Sequence, residues 1–269
     1  MLKHRYHIVW MVISLLAVAP QGCEKDEEPP KVQPVSSAEP EEIIVGPDLD
    51  AIKARGKLIA LTLNSSTSYF IYRGHAMGFE YELLQRFAKS IGVELEMQLI
   101  PDVNTMFDIL NKGEGDIIAC NLAITSDRQE KAAFSEPYNF TKLVLVQRLP
   151  EGHHNMSQRE ISKNLLLRPL DLSGKTIYVN RSSPSYERLI NLQKESGISF
   201  DIVKAPGYID PEKLIQKVAD GEIDYTVADD NLANLNSTYY NNIDVSVQLS
   251  FPRQIGWAMR KNNPQLVEA

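Results

Sequence analysis

The sequence predicts an α/β protein of two lobes joined by two hinge strands. Three observations support this fold class. Short apolar segments alternate with segments of helical periodicity from about residue 49 to residue 260. The alternation starts afresh near residue 172, and two β-rich stretches connect the two series. Repeated strand–helix units predict parallel sheets covered by helices, and two connections between two such lobes predict a hinged clamshell.

The first series predicts three strands and two helices. Apolar residues recur at helical spacing from Phe79 to Ile91, and Gly92 and Gly113 follow the two helical segments as typical helix ends. The predicted elements are strand 57–63, helix 79–91, strand 94–99, helix 105–112 and strand 117–120.

The second series repeats this organisation. Its predicted elements are strand 172–179, helix 183–192, strand 200–204, helix 211–220, strand 225–228 and helix 231–239. The stretch 141–147 precedes the second series and the stretch 250–258 follows it, and these two are the predicted hinge strands. Lobe 1 therefore comprises residues 49–147 plus 250–269, and lobe 2 comprises residues 148–249.

The N-terminal segment is typical of an export signal. A basic start (Lys3 to Arg5) precedes an apolar run (Ile8 to Ala19) that is too short to span a bilayer comfortably. Gly22-Cys23 follows, as in a bacterial lipoprotein signal, so we expect residues 1–23 to be a signal peptide and Cys23 to be lipidated. A plain secretory signal and an uncleaved anchor are the alternatives. All three put the body of the protein outside the cytoplasm.

Composition narrows the classes of partner. Residues 24–48 are rich in Glu, Pro, Ser and Lys, which predicts a disordered tether. The formal net charge of −7 argues against nucleic acid and against electrostatic attachment to a membrane surface. Cys120 lies in an apolar strand with no nearby histidine, so we do not expect it to be a nucleophile. His153 and His154 lack an evident third ligand, so we expect neither a metal nor a cofactor.

Charged residues follow one strand in each series. Arg128 comes after the strand at 117–120, at a helix start where Thr125 offers a capping oxygen. Asp229 comes directly after the strand at 225–228. One positive and one negative strand end on two similar units predict a cleft for a small zwitterion.

Four motifs resemble the family-3 solute-binding proteins, which are two-lobed periplasmic amino-acid receptors. The motifs are Gly78-Phe79-Glu80-Tyr81-Glu82-Leu83, Gly115-Asp116-Ile117-Ile118, Thr125-Ser126-Asp127-Arg128 and Glu222-Ile223-Asp224-Tyr225-Thr226-Val227-Ala228-Asp229. The resemblance covers about residues 50 to 260. It implies the periplasmic-binding-protein type II clamshell.

A narrower resemblance is to the N-terminal module of the membrane-bound lytic murein transglycosylase F family. It is carried by 224–229, Tyr239-Tyr240 and Trp257-Ala258-Met259-Arg260-Lys261-Asn262-Asn263-Pro264. In that family a lysozyme-like catalytic domain follows the module. The resemblance implies that the last helix of lobe 1 is truncated at Ala269 and that these residues hold no catalytic group.

The resemblance also implies roles for individual residues, each with a structural alternative. Arg128 is expected to bind a ligand carboxylate, or else to pair with Glu130 or Glu136. Asp229 is expected to accept from a ligand ammonium, or else to cap the next helix, with Asp230 competing for both roles. The remaining expected ligand contacts are Thr125 and Ser183, which are also candidate helix caps, and Tyr69 or Phe70, which are also candidate core residues.

The expected function is binding or sensing of an amino acid or muropeptide, on the periplasmic face of the envelope and most simply on an outer-membrane lipoprotein. Peptidoglycan is the expected partner of the missing catalytic domain. A free-standing amino-acid-binding lipoprotein of an ABC importer is the alternative. A third possibility is an enzyme on the same clamshell, as in cyclohexadienyl dehydratases. No Ser/His/Asp set, metal-ligand spacing or phosphate loop in the sequence supports it.

Overall fold

The chain forms two five-stranded sheets in this computed structural model, which describes residues 48–181, 183–206 and 209–269. Each sheet is the centre of one lobe, as the sequence predicts. The expected signal peptide, the lipidation at Cys23 and nearly all of the expected tether lie outside the described residues. In the part of the chain that is described, no helix is both long enough and apolar enough to cross a membrane.

The lobe 1 sheet combines three parallel strands with two further strands at one edge, the first of which is antiparallel to both of its neighbours. Its strands are β1 (Lys57–Thr62), β4 (Glu94–Leu99), β5 (Ile117–Ile118), β6 (Ala133–Phe134) and β14 (Ala258–Met259), in the order β4-β1-β5-β14-β6. β1 is parallel to β4 and β5, whereas β14 is antiparallel to β5 and β6. A hairpin of β2 (Phe70–Tyr72) and β3 (His75–Met77) lies between β1 and the first long helix.

Helices cover this sheet. They are α1 (Leu49–Arg55), α2 (Phe79–Ile91), α3 (Val103–Asn111), α4 (Ser126–Lys131) and α9 (Pro264–Glu268). α2 ends where Gly92 takes the left-handed conformation (φ 80°), as predicted, because glycine adopts that region without steric cost. α3 begins two residues before its predicted start, because the Asp102 side chain accepts from the backbone N–H groups of Asn104 and Thr105.

Lobe 2 has the same plan. Its strands are β8 (Leu143–Arg148), β9 (Thr176–Asn180), β10 (Asp201–Ala205), β11 (Tyr225–Asp229) and β12 (Ile243–Asp244), in the order β10-β9-β11-β8-β12. Its helices are α5 (Gln158–Lys163), α6 (Ser185–Ser196), α7 (Pro211–Asp220) and α8 (Asp230–Ser237). α7 has the predicted bounds, because Asp210 caps its start and Gly221 (φ 80°) its end.

Two short strands pass between the lobes and pair with each other. β7 (Asn139–Thr141) leads from lobe 1 to lobe 2, and β13 (Arg253–Ile255) leads back. The predicted hinge at 141–147 is therefore displaced: β8 is a buried strand of the lobe 2 sheet, hydrogen-bonded to β11 and β12. The first crossing lies at 139–141, and lobe 1 ends several residues before the predicted 147.

A buried ion network joins the first and last parts of lobe 1. Asp116 is fully buried and contacts the guanidinium groups of Arg55 and Arg260. Arg260, only 2% exposed, also donates to the carbonyl oxygens of Leu110 (3.0 Å) and Gly115. These bonds compensate the desolvation of both charges.

Replacing Arg260 with methionine is expected to lower the free energy of unfolding by about 3 kcal/mol, because it removes one charged partner of the buried carboxylate and the side-chain donor of the Gly115 carbonyl oxygen. Urea denaturation measures the change. Arg159→Met, on the exposed side of α5, is the matched control and is expected to stay within about 0.5 kcal/mol of the wild type. A similar small change in Arg260→Met would contradict the assignment.

Candidate functional site

A small cavity of about 100 Å³ lies where the two lobes meet, and both lobes contribute to its wall. Lobe 1 provides apolar residues from several loops together with Asn121 and Arg128. Lobe 2 provides polar residues from the starts of α6 and α7 and from the end of β11. The lining residues are Leu63, Pro101, Val103, Cys120, Asn121, Leu122, Arg128, Asn180, Ser183, Pro184, Asp210, Pro211 and Asp229.

Arg128 and Asp229 thus reach one cavity from opposite lobes. Arg128 follows β5 of the lobe 1 sheet, and Asp229 is the last residue of β11 in the lobe 2 sheet. The carboxyl ends of strands in open α/β sheets form the crevice where ligands usually bind. Ser183 lines the same cavity, so the structure brings together three of the five predicted ligand-binding residues.

The Arg128 guanidinium is half-buried and has one hydrogen bond from Nη1, at 2.8 Å to the carbonyl oxygen of Ala123. Burial lowers the pKa of this guanidinium from its ordinary value. Neither Glu130 nor Glu136 forms an ion pair with it among residues 48–181. The structural alternative of a surface ion pair is therefore not seen, and the guanidinium keeps donors available for an anion.

The helix that carries Arg128 contributes little by itself. α4 has only six residues, and the backbone N–H of Arg128 donates to the carbonyl oxygen of Thr125, so it is not available to an anion. The Thr125 side chain makes no capping hydrogen bond and lines a neighbouring groove instead of the cavity. Any anion binding here depends on the arginine side chain and not on the helix.

Asp229 already has a charged partner within the protein. Its carboxylate forms an ion pair with Arg253 of the hinge strand and accepts from Nδ2 of Asn121 at 3.3 Å. Burial raises the pKa of this carboxyl, and Arg253 and Arg128 act in the opposite direction. The expected pairing with a ligand ammonium thus competes with Arg253. Asp229 makes no side-chain cap for α8.

Asp230 and Ser183 have mainly structural contacts. Asp230 accepts from Thr141 Oγ1 (2.8 Å) and from the backbone N–H of Lys142, so it ties the hinge to α8 and does not line the cavity. Ser183 Oγ is 2.8 Å from Ser185 Oγ and accepts from the Ser185 backbone N–H, next to the cavity.

Tyr69 lies away from the cavity. Its ring packs edge-on against Tyr81 with 5.3 Å between ring centroids, and its backbone bridges to Asn64 and Ser65. Phe70 begins β2. Neither ring lines the cavity or the neighbouring groove, so the structure does not bring the predicted aromatic wall to the site.

Direct hydrogen bonds connect the lobes at two places. The side-chain amides of Asn121 and Asn231 bond to each other, with Asn231 Nδ2 2.8 Å from Asn121 Oδ1. At the second place, Glu212 at the start of α7 accepts from the backbone N–H of Ser66 (2.7 Å) and from its hydroxyl. These bonds exist only while the lobes are together.

The buried Glu80 carboxylate holds Asn121 in place in the lobe 1 wall of the cavity. It is 1% exposed and accepts from the Asn121 backbone N–H (2.7 Å), Trp257 Nε1 (2.8 Å) and the Tyr138 hydroxyl. Asn121 has a left-handed backbone (φ 55°), which asparagine tolerates better than most residues. Burial raises the pKa of the Glu80 carboxyl, against the opposing effect of its three donors.

Sequence reasoning missed Glu80, Asn121, Asn231 and Arg253 as parts of the site. Glu80 had a detectable signal, because it shares a helix face at spacings of four and eight residues with the buried Leu84 and Ala88. No local pattern identifies the other three, since their partners are distant in the chain.

Neither Cys120 nor the pair His153 and His154 lies in surroundings that favour a reactive thiol or a metal site. Burial raises the pKa of the Cys120 thiol to about 12, which keeps it protonated and unreactive. The rings of His153 and His154 are tilted against each other, with 3.8 Å between their centroids, and lie outside the cavity. In the residues that the structure describes, no group of three histidine, cysteine or acidic side chains could hold a metal ion.

Comparison with known proteins identifies the type of module. Residues 58–269 match the family described as bacterial extracellular solute-binding proteins, family 3. Membrane-bound lytic murein transglycosylase F of Desulfosudis oleivorans is 35% identical over 212 residues, covering 79% of this chain and 43% of that protein. The Stutzerimonas stutzeri protein of the same name is 32% identical over 216 residues, covering 80% and 41%. The chain thus spans about two-fifths of the length of these relatives.

Solved structures show the same fold. The arginine-bound form of truncated ArgBP from T. maritima superposes with a TM-score of 0.65 at 25% identity, covering 81% of this chain and 95% of that one. An ancestral amino-acid-binding protein, a precursor of cyclohexadienyl dehydratase, has a TM-score of 0.65 at 22% identity, covering 82% and 88%. The predicted type II clamshell is confirmed.

Replacing Glu212 with alanine is expected to favour the open arrangement of the lobes, because it removes both hydrogen bonds from Ser66. Small-angle X-ray scattering of the ligand-free protein is expected to give a larger radius of gyration than the wild type. Glu222→Ala, whose carboxylate pairs with Lys217 on the surface, is the control and is expected to leave the radius unchanged. An unchanged radius in Glu212→Ala would show that these bonds do not hold the cleft.

Replacing Glu80 with glutamine is expected to cost about 1–3 kcal/mol of folding stability at pH 7, because one of three buried donors loses its acceptor. Because the folded-state pKa of Glu80 is raised, its ionisation makes the wild type less stable as pH rises above its ordinary value of 4.5. The variant is therefore expected to show a smaller stability difference from the wild type at pH 7 than at pH 5. Thermal denaturation at both pH values measures it, with Glu82→Gln as the exposed control. A pH-independent difference would contradict the raised pKa.

Proposed function

Because this chain belongs to family 3 of the bacterial extracellular solute-binding proteins, we propose that it binds a small carboxylate-bearing ligand, an amino acid or a muropeptide, between its lobes. The observation that carries this proposal is the position of Arg128, whose half-buried guanidinium faces the cavity between the lobes and has no ion-pair partner among the described residues. A carboxylate matches the planar pair of donors that a guanidinium presents.

Closure of the lobes is the proposed response to binding. The ligand would add contacts to both lobes, and the interlobe hydrogen bonds of Asn121 and Glu212 would add to them. A ligand shifts a conformational equilibrium by its difference in affinity for the two states. The paired strands β7 and β13 are the segment that such a movement would bend.

We further propose that closure regulates a cell-wall lytic transglycosylase. The similarity to two membrane-bound lytic murein transglycosylase F proteins supports this, although the chain spans only about two-fifths of their length. The activity and the peptidoglycan partner would belong to the remainder of such a protein. Membership of an extracellular family supports a periplasmic location, and an outer-membrane lipoprotein anchored at Cys23 is the form we propose.

An amino-acid receptor of an ABC importer is the second candidate. A solved amino-acid ABC transporter substrate-binding protein shares the fold with a TM-score of 0.64, at 19% identity. The reading frame after Ala269 separates the two candidates. A following domain that cleaves purified peptidoglycan would support the transglycosylase, whereas amino-acid uptake lost on deletion of the gene would support the importer.

Ligand binding is expected to raise the melting temperature, by about 2–4 °C for each kcal/mol of stabilisation. Thermal-shift screening with arginine, glutamine, alanine and soluble muropeptides is the first measurement, followed by calorimetry. Arg128→Ala is expected to weaken binding about 100-fold, or about 2.7 kcal/mol, because the ligand carboxylate loses its charged partner.

Two further variants keep this test decisive. Arg159→Ala, on exposed α5, is expected to bind as the wild type does. Arg128→Gln keeps a donor and much of the side-chain volume, so its circular dichroism and binding separate loss of ligand contact from loss of folding. Undiminished binding in folded Arg128→Ala would refute the proposed role.

A further inference from the structure

A second, larger groove continues outward from the cavity between the lobes. Its volume is about 470 Å³, and it shares Arg128, Ser183 and Pro184 with the cavity. The other wall residues come from α3 and α4 of lobe 1, from the hinge, and from α6 and β10 of lobe 2. We call this space the outer groove. A ligand that contacts Arg128 can therefore extend from the cavity into the outer groove.

The outer groove is strongly cationic. Six basic side chains line it, Arg128, Lys131, Arg181, Arg188, Lys204 and Arg253, against two acidic ones, Asp127 and Glu187. The whole chain carries a formal charge of −7, so this concentration of positive charge is opposite to the average of the molecule. A cleft lined by one sign of charge concentrates ligands of the other sign.

Two of the six cations are already neutralised within the protein. Arg253 pairs with Asp229, and Arg188 pairs with Glu195 at 2.9 Å. The other four, Arg128, Lys131, Arg181 and Lys204, form no ion pair within the described part of the chain. Four unpaired cations facing two carboxylates leave a net positive surface.

Aromatic rings accompany two of these lysines. Lys204 Nζ lies 3.4 Å from the centroid of the Tyr186 ring, and Lys131 Nζ lies 6.0 Å from that of Phe107. Both rings belong to the groove wall. Such cation–π contacts restrict where the ammonium groups lie while leaving their charge uncompensated by an anion.

Size and charge also limit what the inner cavity can hold. Its volume of about 100 Å³ is well below the 300–1,000 Å³ usual for small-molecule sites, whereas the outer groove lies within that range. Within the cavity Asp229 is paired with Arg253, and Asp210 accepts from the Lys213 backbone N–H at 2.7 Å. The cavity therefore suits a small group beside the carboxylate that binds Arg128, and the rest of the ligand extends outward.

We propose that the ligand is a short acidic peptide with at least two carboxylates, one bound by Arg128 and another in the outer groove near Lys131, Arg181 and Lys204. This inference rests on the proposed function, because it assumes that Arg128 binds a carboxylate. It adds a second anionic subsite and a size larger than that of a free amino acid.

The test compares two dipeptides of nearly equal size, L-alanyl-L-glutamate and L-alanyl-L-glutamine, by calorimetry with the whole chain. The glutamate peptide, with its additional carboxylate, is expected to bind at least tenfold more tightly in 50 mM salt. Its advantage is expected to shrink in 500 mM salt, because ions screen exposed charges. The double variant Lys131→Gln/Lys204→Gln is expected to reduce the preference to less than threefold, and Lys163→Gln on α5 is expected to retain it.

The outcomes separate this inference from the proposed function. Equal affinity for the two peptides, with binding lost in Arg128→Ala, would overturn the second subsite and leave the proposed function standing. A preference that the double variant retains would also overturn the inference, because the lysines would then not read the second carboxylate. Absence of binding by both peptides, by free amino acids and by muropeptides would overturn both.

Discussion

The ion pair between Arg253 and Asp229 is the interaction on which the geometry of the cleft most depends. Arg253 belongs to β13, one of the two strands that cross between the lobes, and Asp229 ends β11 in the lobe 2 sheet. Both side chains are about four-fifths buried. Separating them would leave two largely buried charges without an ion-pair partner, which costs several kcal/mol. The hinge is thereby held in one position relative to lobe 2, at the point where a ligand would lie.

A series of hydrogen bonds connects the core of lobe 1 to this ion pair. Glu80 accepts from the Asn121 backbone, and the Asn121 side chain then reaches Asn231 and Asp229 in lobe 2. The buried Glu80 also accepts from Trp257, which follows β13, so one carboxylate links Asn121 to the segment next to the hinge strand. When the lobes move relative to each other, the Asn121 side chain must therefore change its contacts with lobe 2, while its backbone N–H stays bonded to Glu80.

Local signals explain how much of the fold the sequence predicts. The bounds of α2 and α7 follow from glycine and aspartate caps, and each depends on residues within one turn. The first hinge crossing was displaced because the apolar start of Leu143–Arg148 fits a hinge strand as well as a buried strand inside a sheet. Arg128 and Asp229 could be predicted because Arg128 follows a strand of the lobe 1 sheet and Asp229 ends a strand of the lobe 2 sheet. The partners of Asp229, by contrast, are set by β7–β13 pairing and lobe contact, which leave no local pattern.

The charge arrangement of the cleft connects these observations. An internal arginine already neutralises the only cavity carboxylate that lies at a strand end, so the charge still to be satisfied in the cavity is that of Arg128. Burial makes a lone guanidinium costly, as its lowered pKa indicates, and a bound carboxylate would remove that cost. A free amino acid brings an ammonium group for which Asp229 would have to leave Arg253. A ligand whose nitrogen is part of an amide brings the carboxylate alone, and its further anionic groups would meet the cations of the outer groove.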